Sequence, residues 1–245
     1  MSLRSRGTRR HELSPEAAAY KARGTPSVPL QMPDLADLDA VARWRAETNA
    51  LWGTDDDPEV PHRPVTIGGV PCLVAGPQAS DSKPTVVYAH GGGYVLGSAA
   101  VAIPITARLG RILRLVSVDF RQPPEHTFPA ALDDMLAVYR ALAGYRASVA
   151  LAGDSAGGAL ALSAAVIAAA DGMPPVLVQA AVGEPLASQA REFQQRAAGA
   201  GVDITLDLWE GLWHTWHYHA LPEADQALAE AAAFLAASLN RADGP

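Results

Sequence analysis

Residues 148–170 read SVALAGDSAGGALALSAAVIAAA, and this stretch decides the fold. Ser148 to Ala152 is an apolar run of strand length, and Ala156 to Ala170 is apolar nearly all round at helical length. Between them lies Gly153-Asp154-Ser155-Ala156-Gly157, a G-x-S-x-G turn. A strand that turns sharply into a helix brings backbone segments close, which explains small residues at 153, 156, 157 and 158. The same alternation recurs on both sides. Strands at 85–89, 115–119, 176–182 and 203–208 interleave with helices at 99–113, 129–142, 188–200 and 221–239. Apolar strands alternating with helices imply an α/β fold, a mostly parallel sheet with helices on both faces. Upstream, Thr66 to Val70 reads as a hairpin with Gly68-Gly69 as its two-residue turn. Ser14-Pro15-Glu16 opens a helix, and residues 34–52 form an amphipathic one; Pro58, Pro61 and Pro64 end the helical region. Arg4, Arg6, Arg9, Arg10 and His11 read as a solvated, poorly ordered tail.

Composition narrows the function classes. The 245 residues carry 26 acidic and 19 basic side chains, a net charge of −7, which argues against nucleic acid as a partner. A single cysteine, Cys72, excludes an internal disulfide framework and a Cys-based zinc site. The longest apolar run, Ala159 to Ala170, is too short to span a bilayer, and Met1 to Arg10 lack the apolar core of a secretory signal. The expectation is a soluble cytoplasmic protein.

The turn at 153–157 places the Ser155 hydroxyl at the carboxyl edge of the sheet, beside a helix N-terminus, where a nucleophile finds free N–H groups for a developing oxyanion. His90-Gly91-Gly92-Gly93-Tyr94 follows the strand ending at Ala89. Its glycines let backbone approach a bound ester, so the amides of Gly91, Gly92 and Ala156 are candidate oxyanion donors. His90, Gly93 and Asp154 are support for these loops. A phosphate cradle is the competing chemistry, but the lysine of a P-loop is missing.

A serine nucleophile needs a base. Three of seven histidines cluster in Gly211 to His219, after the strand ending at Leu208, and His214 and His217 are the candidates. A metal site is the alternative reading of the cluster, without a carboxylate at ligand spacing to support it. Glu184, closing the strand at 176–182, is the candidate acid that orients the histidine; Asp171, Asp203 and Asp207 compete less well.

Together these residues resemble the bacterial hormone-sensitive-lipase-like (family IV) esterases of the α/β-hydrolase superfamily. HGGGY at 90–94 is similar to that family's oxyanion motif, and GDSAGG at 153–158 to its nucleophile motif. VSVDFRQPPEHTFPAALDD at 116–134 is similar to its D-Y-R-L-A-P-E-x-x-F-P-A-A-x-x-D segment, with Phe120, Gln122 and Pro123 in place of Tyr, Leu and Ala. Gly211-Leu212-Trp213-His214 resembles G-M-x-H, which prefers His214 over His217, and Gly183-Glu184-Pro185-Leu186 resembles a segment that usually ends in D-P-L. One departure is large. Glu184 lies only 29 positions after Ser155, so the resemblance implies that at least one strand–helix unit, of about 30 residues or more, is missing between them.

The resemblance implies a serine carboxylesterase acting on short- to medium-chain esters without metal or organic cofactor. It implies Ser155, His214 and Glu184 as the triad, a tail with cap helices over residues 1–60, and a catalytic domain over 61–245. Tyr94, Trp44, Trp52 and Trp213 are candidates to line its pocket. Alternatives are a shortened relative that binds without turnover, and an amidase or deacetylase using the same triad. An exposed strand edge allows a homodimer.

Overall fold

The computed structural model describes residues 5–9, 12–24, 31–52, 59–76, 85–144, 148–169 and 172–242. In chain order the elements are β1 (Ser5–Arg9), α1 (Pro15–Arg23), α2 (Leu38–Trp52), β2 (Arg63–Ile67), β3 (Val70–Ala75) and β4 (Thr85–Ala89). There follow α3 (Ile103–Gly110), β5 (Arg114–Val118), α4 (Ala130–Ala143), β6 (Val149–Gly153) and α5 (Ala156–Ala168). The chain ends with β7 (Val176–Ala181), α6 (Ala187–Gly199), β8 (Ile204–Trp209) and α7 (Pro222–Ala242). Each strand and helix expected downstream of residue 85 is present, within a few residues at its ends.

The strands form two ladders. One has five strands in the order β2-β3-β5-β4-β6, and the other three in the order β1-β8-β7. The single sheet expected from the sequence is therefore divided. β6 ends one ladder and β7 the other, and these are the strands flanking the expected deletion. In the first, β2 and β3 are antiparallel and close on the Gly68-Gly69 turn, with φ of +59° and +82°. A two-residue turn with positive φ at both positions matches the strands' own twist, and glycine enters that conformation without strain, which is why Gly-Gly suits it. A Cβ on Gly68 would also lie 2.6 Å from the carbonyl oxygen of Ala137, on α4. From β5 onward the pairing is parallel, and all five residues of β4 are buried between β5 and β6. Val87, Val116, Val118, Met135, Val138 and Leu160 form the core around them.

Two compact units emerge, residues 26–164 with 235–245, and residues 1–25 with 165–234. In the second, Trp209, Leu212, Trp216, Leu221 and Ala224 pack with Ala17 of α1. Membership of this unit gives α1 a different environment from α2, which belongs with the five-stranded ladder.

Three local differences have physical causes. Ser5–Arg9, read as tail, is a strand parallel to β8, so edge pairing outweighs its charged composition. Arg4, Arg10, His11, Pro58 and Asp171 lie outside the described residues. Helix α2 begins at Leu38, because the Asp37 carboxylate accepts from the Ala40 amide at 2.9 Å and caps the helix there. Helix α3 begins only at Ile103. Ahead of it the Ala99 amide donates to Asp119 Oδ1 at 2.6 Å and the Val101 amide to Ser98 Oγ at 3.2 Å, holding residues 98–101 in turns.

Candidate active site

Parallel register places two loops side by side in the larger unit. Ala89, the last residue of β4, is opposite Gly153, the last of β6, so His90–Gly93 and Asp154–Gly157 leave adjacent strand ends. Small residues here are a steric requirement. A Cβ on Gly157 would lie 2.1 Å from the Ala89 oxygen and 2.5 Å from the His90 oxygen. One on Gly153 would lie 2.4 Å from the Gly157 oxygen. Ser155 itself takes φ +51°, the left-handed conformation of a strained elbow between β6 and α5.

Asp154 locks the two loops together. Its Oδ1 accepts from the Tyr88 hydroxyl at 2.8 Å and from the Gly91 amide at 3.0 Å. The Gly91 N–H, expected among the oxyanion donors, is thus engaged by Asp154 in this structure. The amides of Gly92 and Gly93 donate to no acceptor among the described residues. Ala156 is the first residue of α5, where an amide has no intrahelical partner. Gly93, read only as support, thus replaces Gly91 among the amides open to a ligand.

His90 is buried, its Nδ1 is 2.8 Å from the Gly91 oxygen, and its ring stacks on Phe120 at 4.2 Å. Burial pushes its imidazole below the ordinary histidine value, so it is neutral at physiological pH. It shapes the loop.

The smaller unit holds a carboxylate–imidazole pair. His214 Nδ1 is hydrogen-bonded to Glu184 Oε2, and the second carboxylate oxygen accepts from the Ala181 amide at 3.0 Å. The Glu184 side chain is 5% exposed and that of His214 38%, so the acid is buried while the ring is partly exposed. His217 is engaged differently. Its Nε2 lies 3.3 Å from Gln179 Oε1, and its ring stacks on Trp216 at 3.9 Å. Gln179 also reaches Asp207 Oδ2 at 3.4 Å, and the Trp209 indole donates to that oxygen at 3.1 Å. Asp207 is accordingly part of a buried network. No group of three or more His, Cys, Asp or Glu arranged to hold a metal ion occurs among the described residues.

The aromatic candidates fall in both units. Trp213 stacks on Tyr20 of α1 at 4.8 Å, and Lys21 of the same helix donates to the Gly211 oxygen at 2.9 Å. Tyr94 is 37% exposed at φ +68°, while Trp44 and Trp52 are half-buried on α2. Sequence reasoning missed two residues of α2 that grip the glycine-rich loop. Arg45 donates to the Val95 and Pro123 oxygens at 2.8 and 2.9 Å and to the Glu125 carboxylate at 2.8 and 3.0 Å. Asn49 donates to the Gly97 oxygen at 3.2 Å and accepts from the Gly97 amide at 2.8 Å. Only their polarity on the apolar-striped helix hinted at this.

Comparison with known proteins reproduces the same division of the chain. A family described as the alpha/beta hydrolase fold matches in two pieces, residues 86–172 and 168–218. The two matches meet at residues 168–172, in the stretch between Ser155 and Glu184. An acetyl-hydrolase of Streptomyces hygroscopicus is 29% identical over 243 residues, covering 70% of this chain and 81% of that protein. The carboxylesterase NlhH of Mycobacterium tuberculosis is 39% identical over 112 residues, 42% of this chain, and the match spans 35% of that enzyme. Among solved structures, an esterase from the bacterial hormone-sensitive lipase family is similar with a TM-score of 0.76 and 26% identity, over 94% of this chain and all of that one (100%). No described helix is long and apolar enough to cross a membrane.

Proposed function

Because the chain belongs to the α/β-hydrolase fold family, we propose that it is a carboxylic ester hydrolase of the hormone-sensitive-lipase-like branch, working through an acyl-enzyme on Ser155. The observation that carries this reading is the buried Glu184 carboxylate, fixed by the Ala181 amide and hydrogen-bonded to His214 Nδ1. A carboxylate on Nδ1 keeps the proton there, which leaves Nε2 as the basic nitrogen and stabilises the ring when it becomes charged.

The chemistry then runs in two halves. Ser155 Oγ attacks the ester carbonyl carbon as its proton passes to His214 Nε2. The carbonyl oxygen takes the negative charge, and the amides of Gly92, Gly93 and Ala156 are the donors offered to it. Collapse of the tetrahedral adduct breaks the bond to the alcohol oxygen, which leaves with the proton from Nε2. A water molecule, deprotonated by Nε2, attacks the acyl-serine. The second collapse releases the carboxylic acid and returns the proton to Ser155. No step calls for a metal or an organic cofactor.

The substrates we assign are small esters of short to medium acyl chains; the names of the acetyl-hydrolase and carboxylesterase relatives support that class. One observation favours a second reading, a shortened relative without turnover: the last turn of α5, which leads into the short stretch before Glu184, leaves Val166 58% and Ile167 53% exposed. A homodimer through an exposed strand edge is the assembly that light scattering would test. Hydrolysis of p-nitrophenyl acetate, butyrate and octanoate beside Ser155→Ala decides the main question. Turnover by the wild type, lost in the variant, supports the esterase and ranks the acyl lengths. A folded wild type no faster than the variant rejects it.

A further inference from the structure

Glycine-rich loops that present free amides face a physical problem. The conformations that point N–H groups at a ligand are not ones the chain holds by itself. From Gly92 to Gly97 the loop carries positive φ at four positions, 114° at Gly92, 61° at Gly93, 68° at Tyr94 and 85° at Gly97. Glycine enters such conformations readily and leaves them as readily, so pre-organised donors require bonds from outside the loop. Those bonds fall on the loop's carbonyl groups. The Gly92 oxygen accepts from the Val95 and Leu96 amides within the loop. The carbonyls of Val95, Leu96 and Gly97 are all held by side chains. Val95 O accepts from Arg45, Leu96 O from Gln122 Nε2 at 2.7 Å, and Gly97 O from Asn49. Asn49 also takes the Gly97 amide, so both polar groups of that residue are fixed by one side chain.

Resting on the ester-hydrolase reading, we infer that Arg45 and Asn49 of α2 are positioning residues for catalysis, holding the Gly92 and Gly93 amides where a tetrahedral oxyanion forms. Arg45 is the hub. Its guanidinium joins Val95 O of the donor loop to Pro123 O and the Glu125 carboxylate of the neighbouring loop, and only a planar fork reaches all three. The helix therefore contributes to rate without touching the reacting atoms. Gln122 completes the grip from the other side at one of the positions where this chain departs from the family pattern.

The inference predicts a specific kinetic signature. Loosened donors weaken binding of the tetrahedral state and leave ground-state binding of the ester nearly unchanged. For Asn49→Ala the expected result with p-nitrophenyl butyrate is kcat lower by about ten- to a hundredfold with KM within about threefold, below the loss for deleting a donor outright. Affinity for n-butylboronic acid, which forms a tetrahedral adduct on the serine, falls in parallel with kcat. Arg45→Lys keeps the charge but not the fork and gives a smaller loss of the same kind. Asn49→Asp keeps the acceptor for the Gly97 amide, lacks the donor to its oxygen, and serves where Asn49→Ala fails to fold. Variants with kcat and boronate affinity within about twofold of wild type and a lowered Tm overturn the inference alone. A wild type inert toward both ester and boronate overturns the hydrolase reading and this inference together.

Discussion

Replacing Glu184 by glutamine keeps the shape of the side chain and removes its charge, and the surrounding hydrogen bonds set the consequence. The carboxylate accepts two of them, from the Ala181 amide on one oxygen and from His214 Nδ1 on the other. An amide has one oxygen to offer. With that oxygen toward His214, the NH2 group faces the Ala181 N–H, donor against donor. With the oxygen toward Ala181, the NH2 group faces Nδ1 and drives the proton to Nε2, where it blocks the base. The loss of charge adds to this. A carboxylate about 4 Å from an imidazolium, at an effective dielectric of about 20, contributes about 4 kcal/mol, which is about three decades in rate. Glu184→Gln is therefore expected to lower kcat on p-nitrophenyl butyrate by about a thousandfold or more with KM little changed. The buried mismatch also lowers stability by about 1–3 kcal/mol, visible as a reduced Tm. Stopped-assay kinetics beside a thermal melt measure both. A variant within about tenfold of the wild-type kcat refutes the assignment of Glu184 as the orienting acid.

Contacts elsewhere in the fold are open to the same kind of test. Gly157→Ala puts a methyl 2.1 Å from the Ala89 oxygen, so it yields little folded protein, or a folded one with activity lost; a normal Tm with normal turnover contradicts the elbow packing. The Arg45 hydrogen bond holds the Glu125 carboxyl below its usual range. A depressed carboxylate pKa stabilises the fold at neutral pH, above the unfolded value, and that contribution is lost as pH falls through the folded value. The Tm advantage of wild type over Glu125→Gln should shrink as a melt series passes below about pH 4.3, and an advantage that grows there contradicts the pairing. Burial, with the Asp119 and Asp134 charges, pushes the Cys72 thiol up to about 12, so it should resist thiol reagents at neutral pH until the protein unfolds. Rapid labelling of the native chain contradicts its burial.

Much of this was legible in the sequence because the deciding signals are local. Strand–turn–helix alternation, the Gly68-Gly69 hairpin and the small residues around Ser155 each state their own geometry. Chain order and strand ends singled out Glu184 as the acid, whereas only the resemblance to G-M-x-H separated His214 from His217 as its partner. What escaped depends on side chains from distant segments. That the Gly91 amide is taken by Asp154 results from two strand ends lying side by side, which the motif does not encode. Arg45 and Asn49 meet the donor loop across about 50 positions, and an arginine on an amphipathic helix reads as a solvated face. The strand at Ser5–Arg9 was missed because parallel edge pairing needs only backbone, and its composition signals a tail. Division of the sheet into two ladders depends on which strand edges pair across the chain, so the short spacing between Ser155 and Glu184 pointed to the place and not to the outcome.

Covalent labelling tests the central claim, that Ser155 is an activated nucleophile, most directly. Intact-mass spectrometry of the protein treated with an alkyl fluorophosphonate should show one adduct, mapped to the peptide carrying Ser155. The adduct should be absent in Ser155→Ala and form far more slowly in His214→Ala. A folded wild type that stays unlabelled, or labels at another residue, contradicts the account.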